Sequence, residues 1–400
     1  MWEGKRVTVL VTGGIAAYKV CSLVSTLAKQ GAKVQVAMTE AATSFVSPQT
    51  FAALTGNPVH TQLFQDSGEI LHIKLGQQSD LVVVAPATAN ILAKAALGIA
   101  DDLVSAVLVA ASTPVVLVPA MNTVMWRNPA VQANVHLLTE RGYRVVTPDS
   151  GTLACKSEGE GRFPPLETVL DELERALTPQ VLAGKNVLVT AGPTREYLDP
   201  VRYLSNPSTG LMGLELARAA WLRGACVTVI TGPISLVIPD YLKQVSVVSA
   251  REMHQAVLKH FPEADILFMT AAVADYRPAL EESTKIKKTG GKLTSIPLER
   301  NPDILQSIMP LRHPGQVVVG FAAETESTEI HALAREKLAA KKLDYIVANL
   351  VDKTQAGFGC RDQEKVFILG ADGFQREYSG IEKRDLASSL CDLVSGARAG

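Results

Sequence analysis

Apolar residues in this chain fall into uninterrupted runs rather than alternating with polar ones. Val7-Thr8-Val9-Leu10-Val11, Leu81-Val82-Val83-Val84-Ala85 and Val115-Val116-Leu117-Val118 are typical. Such runs suit strands covered on both faces, as in a parallel sheet flanked by helices. Strands are predicted at Val7–Thr12, Lys33–Met38, Leu81–Ala85, Val115–Pro119 and Arg144–Thr147. A second series is predicted at Val187–Thr190, Val227–Thr231, Val245–Ser249, Ile266–Thr270, Val317–Phe321 and Tyr345–Ala348, with Val366–Leu369 added at an edge. Helical patterns lie between most of them, which gives βαβ units and an α/β fold. The opening Gly4-Lys5-Arg6-Val7-Thr8-Val9-Leu10-Val11-Thr12-Gly13-Gly14 recurs in outline as Gly184-Lys185-Asn186-Val187-Leu188-Val189-Thr190-Ala191-Gly192. Two doubly wound, mostly parallel-sheet domains follow, the first flavodoxin-like or Rossmann-like and the second Rossmann-like. Leu166–Leu177 reads as an acidic amphipathic helix that Thr178-Pro179-Gln180 breaks, so the boundary is expected near Ala183, with domains 1–182 and 183–400.

Composition narrows the partners. The 400 residues carry 39 Lys+Arg against 40 Asp+Glu, so no global basic field attracts nucleic acid or an acidic membrane, and any anion site is local. The apolar stretch from Leu81 to Met121 is interrupted by Asn90, Lys94, Asp101 and Asp102, which argues against a membrane span. The five cysteines, Cys21, Cys155, Cys226, Cys360 and Cys391, form no CxxC pair, and the first residues carry no signal-peptide pattern. A cytoplasmic protein without zinc or disulfides is expected.

Candidate chemistry sits where strands end. Gly13-Gly14-Ile15-Ala16 follows a strand and opens a helix, so its N–H groups can hold a phosphate, although it is not a G-x-G-x-x-G. Read as a tight βα turn, it needs no ligand. Pro86-Ala87-Thr88-Ala89-Asn90 and Pro119-Ala120-Met121-Asn122 lie at carboxyl ends of strands, where open α/β sheets bind ligands, and suit a flat ring with polar edges as well as plain turn chemistry. Cys155 occupies a loop rich in Gly and charge beside Lys156 and Arg162, where a thiol can be exposed and tuned. His72 is flanked by apolar residues and reads as structural or functional. In the second half, Ser205-Asn206-Pro207-Ser208-Thr209-Gly210 precedes a helical pattern and offers an anion cradle or a simple N-cap. Lys285-Ile286-Lys287-Lys288, in the long stretch from Asp275 to Asn301, is a solvated face or a counter-charge for a polyphosphate.

Pro119-Ala120-Met121-Asn122-Thr123-Val124-Met125-Trp126 resembles the signature of the homo-oligomeric flavin-containing cysteine decarboxylases, and the loop around Cys155 looks like their substrate-recognition clamp. The Asn206 segment, Ala271-Ala272-Val273-Ala274-Asp275-Tyr276, the Lys285 cluster, Asn301-Pro302-Asp303-Ile304 and Gly320-Phe321-Ala322-Ala323-Glu324-Thr325 resemble phosphopantothenate–cysteine ligase. Both halves in this order look like the bifunctional coenzyme A biosynthesis proteins of bacteria. The resemblance implies that the second half activates 4'-phosphopantothenate with CTP and Mg²⁺ to an acyl-cytidylate, from which cysteine's amine displaces CMP. It implies roles for Lys285 in forming that intermediate and for Asn206 in turning it into the amide, with Arg202 and Ala272 at associated positions. Ala271, Asp275, Pro302, Asp303, Ile304, Leu305, Phe321, Lys337 and Lys341 fall on substrate or CTP positions; Lys337 and Lys341 stand four apart on a predicted helix, so both can face one site. No metal ligands are assigned.

For the first half the resemblance implies FMN-dependent decarboxylation of phosphopantothenoylcysteine to 4'-phosphopantetheine through a thioaldehyde. Cys155 would supply a proton, His72 would act as base, and Asn122 would hold the substrate carboxylate. Gly14, Ile15, Ala16, Thr39, Ala87, Thr88 and Asn90 would contact FMN. A homo-oligomer is implied, with trimers of the first half and dimers of the second, compatible with a dodecamer. Three departures from the pattern stand out: Leu211 where the family has Lys, Phe163 where Met or Leu is common, and Pro207 after Asn206. Rival readings are a flavin-fold regulator without catalysis, a two-domain NAD-dependent dehydrogenase, and a flavin prenyltransferase that would leave the second half unexplained.

Overall fold

The computed structural model describes residues 1–64, 70–152, 158–287, 295–324, 330–350 and 362–396. The chain divides into two compact units, Met1–Thr178 and Pro179–Gly400.

The first unit is built on a six-stranded sheet of β1 (Arg6–Val11), β2 (Lys33–Met38), β3 (Val59–His60), β4 (Leu81–Ala87), β5 (Val115–Pro119) and β6 (Arg144–Val145), in the order β3-β2-β1-β4-β5-β6. Every pair is parallel. This is the Rossmann order; without the two-residue β3 it is the flavodoxin order, so the two sequence expectations differ only by a short edge strand. All seven residues of β4 are buried, as its unbroken apolar run requires. Helix Ala17–Lys29 buries Ala17, Val20, Leu23, Val24 and Leu27 against one face, a helical stripe matched to the sheet. Helices Ala89–Leu97 and Leu103–Ala110 bury theirs against the other. Helix Leu166–Leu177 forms as expected, with Val169 and Leu173 in the core. β7 (Asp149–Thr152) and β8 (Glu158–Arg162) make an antiparallel hairpin, an element with no apolar signature in the sequence.

In the second unit β9 (Asn186–Ala191) is followed by a small hairpin of β10 (Arg195–Asp199) and β11 (Arg202–Ser205). Next come β12 (Cys226–Thr231), β13 (Lys243–Ser246), β14 (Ile266–Met269) and a short antiparallel pair, β15 (Tyr276–Pro278) with β16 (Leu298–Arg300). β17 (Val317–Glu324), β18 (Tyr345–Leu350), β19 (Asp362–Gly370) and β20 (Gln375–Glu382) complete an eight-stranded sheet ordered β13-β12-β9-β14-β17-β18-β19-β20. The expectation of Val366–Leu369 as an edge is corrected: that segment lies inside β19, antiparallel to β18 on one side and to β20 on the other. β20 escapes a reading by apolar runs because its sequence, QREYSGIE, is largely exposed and polar. The strand expected at Val245–Ser249 starts two residues earlier and ends three earlier, since Ser249 is the N-cap of helix Ala250–His260.

One device repeats. Asp80, just before β4, accepts the N–H of Arg6 at 2.7 Å and donates its own N–H to the Arg6 carbonyl at 2.8 Å. Asp265, just before β14, makes the same pair with Asn186, at 2.8 Å in each direction. The amide of Arg6 holds the Asp80 carboxyl below its ordinary range, and that of Asn186, with Lys185, does so for Asp265.

Candidate functional site

In each unit the order of strands reverses between the first strand and the fourth, which opens a crevice at their carboxyl ends. In the first unit the two lips are tied together. Thr12 Oγ1 donates to the Pro86 carbonyl at 2.5 Å and lies 3.3 Å from Thr88 Oγ1. A Cβ on Gly13 would stand 2.5 Å from Ala41 Cβ, so only glycine lets this turn pass. A Cβ on Gly14 would meet Thr88 and Pro86 at 3.4 and 3.7 Å, which places the β1 and β4 turns side by side. Helix Ala17–Lys29 begins at Ala16 without a side-chain cap. Ile15 and Asn90 are exposed and Ala87 is buried. Thr39, Thr88 and Asn122 each cap a helix, accepting the N–H of Ala42, Ile91 and Val124 at 3.3, 3.4 and 2.8 Å. The turn chemistry that the sequence left open for the segments of Thr88 and Asn122 is thus present at the carboxyl ends of β4 and β5, and Thr39 caps likewise after β2.

Cys155 lies outside the described residues, but the hairpin that carries its loop is firmly seated. The Met121 N–H donates to the Gly161 carbonyl at 2.9 Å, and a Cβ on Gly161 would stand 2.3 Å from the Met121 oxygen. Gly159 packs equally tightly on Thr123, whose buried hydroxyl has no partner among the described residues. Arg127 and Glu160 pair at 3.2 Å across the same contact. The loop base is thus pinned to the Asn122 segment. Phe163 is buried, with Lys19 5.8 Å from its ring centroid, and burial together with the nearby Arg162 lowers the Lys19 ammonium from its ordinary value. His72, half-buried on helix Leu71–Gln77, has no hydrogen bond or ion pair with the described residues, so nothing ties it to the crevice.

In the second unit two adjoining clefts, of about 400 and 730 Å³, share Ala271, Val273, Asp275, Phe321 and Lys337. Asn206 and Ala272 line the first; Pro302, Asp303, Ile304, Leu305 and Lys341 line the second. Helix Leu211–Leu222 opens the first cleft from Gly210, which has φ of 83°. Gly213 lets that helix descend onto β9 and β14, since a Cβ would lie 2.5 Å from Ala191 Cβ and 2.7 Å from Thr270 Oγ1. Helix Ile330–Ala340 carries Lys337 and ends one residue before Lys341, whose N–H still bonds the Lys337 carbonyl at 3.0 Å. Lys337 pairs with Glu324 at 2.6 Å, and Lys341 with Asp303. Burial alone would raise the Asp303 carboxyl; Lys341 and the Gln306 amide hold it below its ordinary value. Asn206 Nδ2 donates to the carbonyls of Ala272 and Val273 at 3.1 and 3.4 Å.

Lys285 and Arg202 line neither cleft. Lys285 is exposed, and Arg202 donates to the Ile286 carbonyl at 2.6 Å while pairing with Asp199 at 2.9 Å. Sequence reasoning names Asn301 in a motif but gives it no role, and its side-chain amide donates to the Ala274 carbonyl at 2.8 Å; it misses Asn349 and Lys383 in the first cleft. It also passed over Asp199, which in Leu198-Asp199-Pro200 reads as a turn residue. No sequence pattern announces Lys383, which follows a polar edge strand and is nevertheless buried.

Comparison with known proteins agrees with this two-part architecture. A family model described as Flavoprotein matches residues 1–178, and one described as DNA/pantothenate metabolism flavoprotein C-terminal domain matches residues 182–397. The chain is 45% identical over 401 residues to the Coenzyme A biosynthesis bifunctional protein CoaBC of Bacillus subtilis, covering 99% of this chain and 98% of that protein. It is 43% identical over 392 residues to its counterpart in Escherichia coli K12, covering 97% and 95%. Among solved structures, the C-terminal domain of a Coenzyme A biosynthesis bifunctional protein CoaBC is 34% identical, covers 54% of this chain and 97% of that one, and superposes with a TM-score of 0.46. The FMN-dependent cysteine decarboxylase SpaF is 35% identical, with coverage of 44% and 100% and a TM-score of 0.39.

The molecule is an α/β enzyme with a flavoprotein unit followed by a ligase unit. The chain belongs to the coenzyme A biosynthesis bifunctional protein family. Its two activities are phosphopantothenoylcysteine decarboxylase and phosphopantothenate–cysteine ligase.

Proposed function

We propose that the second unit joins 4'-phosphopantothenate to cysteine at the expense of CTP, and that the first unit, with FMN, decarboxylates the product to 4'-phosphopantetheine. The observation that carries the ligase reading is convergence: segments around Asn206, Ala271–Asp275, Pro302–Leu305, Phe321 and Lys337–Lys341 meet at two clefts on the carboxyl side of one sheet. A substrate carboxylate oxygen attacks the α-phosphorus of CTP and pyrophosphate leaves, giving an acyl-cytidylate. The amine of cysteine then attacks its carbonyl carbon, CMP departs, and the amine proton passes to solvent. Lys337 and Lys341 supply cations for the phosphates, and Lys285 supports the first step. Mg²⁺ enters with CTP; Asp275, which lines both clefts, offers a carboxylate for it alongside phosphate oxygens. Because Asn206 Nδ2 is committed to two carbonyls, its Oδ1 is left to accept an N–H of the attacking amine.

The residues of the first unit fit a flavin mononucleotide. Gly13 and Gly14 bring main chain close to the β4 turn, helix Ala17–Lys29 starts without a side-chain cap, and Thr12, Thr39 and Thr88 line the strand ends with hydroxyls. FMN, when bound, supplies reversible two-electron chemistry at the substrate sulfur. Asn122 holds the substrate carboxylate, His72 takes up a proton, and Cys155 returns one. Gly159 and Gly161 seat the hairpin of β7 and β8 against Thr123 and Met121, beside Asn122. Among the described residues no helix is long and apolar enough to cross a membrane, which fits a cytoplasmic setting, and a homo-oligomer follows from the family resemblance.

The test is direct. Purified protein given phosphopantothenate, cysteine, CTP and Mg²⁺ is expected to be yellow and to release pyrophosphate, CMP and CO2 in equal amounts. A colourless preparation that releases none of them overturns both assignments.

A further inference from the structure

The segment that carries Lys285 is bonded through its main chain to an ion pair on the preceding hairpin. Asp199 closes β10, and its side chain is 0% exposed. Its carboxylate accepts the N–H groups of Val201 and Arg202, each at 2.9 Å, which forms the turn into β11. It also accepts the N–H of Ile286 at 3.2 Å, across 87 residues of chain. Arg202, paired with the same carboxylate at 2.9 Å, also donates to the Ile286 carbonyl at 2.6 Å. The Glu282 N–H bonds the Leu198 carbonyl at 2.9 Å, so the segment is laid along the end of β10. Ile286 is therefore gripped at both main-chain polar groups by one Asp–Arg pair.

A buried carboxylate is costly unless its lone pairs are filled, and here the filling groups are the turn itself, a guanidinium and the distant loop. Removing any of these leaves the buried carboxylate short of a partner, so the hairpin and the loop are tied through it. The hairpin runs directly into Asn206. Lys285, next to Ile286, is a long exposed side chain whose main chain is anchored on either side by these bonds at Glu282 and Ile286.

We propose that Asp199 and Arg202 are positioning residues for the ligase reaction, which set Lys285 by clamping the main chain of Ile286. Resting on the reading of Lys285 given above, this takes Arg202 out of direct contact with substrate and gives Asp199 a role in acyl-cytidylate formation.

The experiment measures pyrophosphate release from CTP and phosphopantothenate, without cysteine, by the full chain. Asp199→Asn, Lys285→Gln and the double variant are compared. Asp199→Asn is expected to slow release by about 10- to 100-fold, with the KM for CTP within about twofold of the parent, because misplacing a catalytic group by an ångström costs that much. In the Lys285→Gln background the same change is expected to cost nothing further. An equal loss in both backgrounds means that Asp199 acts independently of Lys285 and overturns the proposal. If Lys285→Gln slows release while Asp199→Asn does not, the clamp alone fails. If Lys285→Gln is itself without effect, the reading of Lys285 fails and takes the clamp with it. Should Asp199→Asn not fold, Arg202→Gln replaces it in the same cycle with the same expectations. Hydrogen exchange of the peptide containing Ile286 gives a second readout: either variant is expected to speed it, and unchanged exchange overturns the clamp.

Discussion

The two units share a strand order around their first and fourth strands and place their clefts at the same point of it, yet line them differently. In the first, Thr12 bridges to Pro86 and Thr88, and the lips are glycine, alanine and hydroxyl groups. In the second, the Thr190 hydroxyl accepts the N–H groups of Thr270 and Ala271, each at 3.1 Å, and the rim carries lysines paired with carboxylates. A threonine at the end of the first strand thus bridges both crevices, in one by donating to the end of the fourth strand and in the other by accepting from the residues just after it. Topology fixes where a ligand can sit, and the side chains on the loops decide which chemistry it meets. Small uncharged lips suit a flat cofactor, whereas paired charges suit a polyphosphate that arrives with its own cation.

Four changes would break or sharpen that contrast. The largest effect is expected from Lys285→Gln, which should slow pyrophosphate release by about 10²- to 10³-fold. Release of CO2 from supplied phosphopantothenoylcysteine should stay unchanged, and a parallel loss would mean that the units do not work separately. The reverse is expected of Gly161→Ala, since the new methyl collides with the Met121 carbonyl at a φ of 121°. It should lower CO2 release by about 10²-fold by unseating β8 from the Met121–Asn122 segment, with pyrophosphate release intact. Gly213→Ala should destabilise the second unit by about 1–3 kcal/mol through overpacking against Ala191 and Thr190; calorimetry should place the whole shift in one transition. The smallest effect concerns acid. Asp80 and Asp265 have folded pKa values below the ordinary carboxylate value, so their stabilisation is complete above that value and lost as pH falls through the lowered one. Urea midpoints measured from pH 6 downwards should fall for the parent and fall less for Asp80→Asn and Asp265→Asn together.

Legibility in the sequence follows burial. β1, β4, β5, β9, β14 and β17 are readable because strands covered on both faces must be apolar throughout. The hairpin of β7 and β8, DSGT and EGEGR, has no such run; its contacts are made by glycines that fit against Met121 and Thr123. Pro302–Leu305, Phe321 and Lys337 are found because the family motifs name them, and the fold gathers them. Periodicity places Lys337 and Lys341 on one helix, and the helix stops just short of the second. Asp199 is not legible: its partner Ile286 is 87 residues away, and the bond is to a main-chain N–H that no side-chain pattern announces.

The aspartates that fasten each first strand to its fourth also set a timetable. Arg6 waits 74 residues for Asp80, and Asn186 waits 79 for Asp265. At a synthesis rate of about 5–20 residues per second, each central strand stays unflanked on that side for roughly 4–16 s. A slow ribosome, or a pause placed inside either stretch, lengthens the time for which a bare apolar ribbon is open to the wrong neighbour.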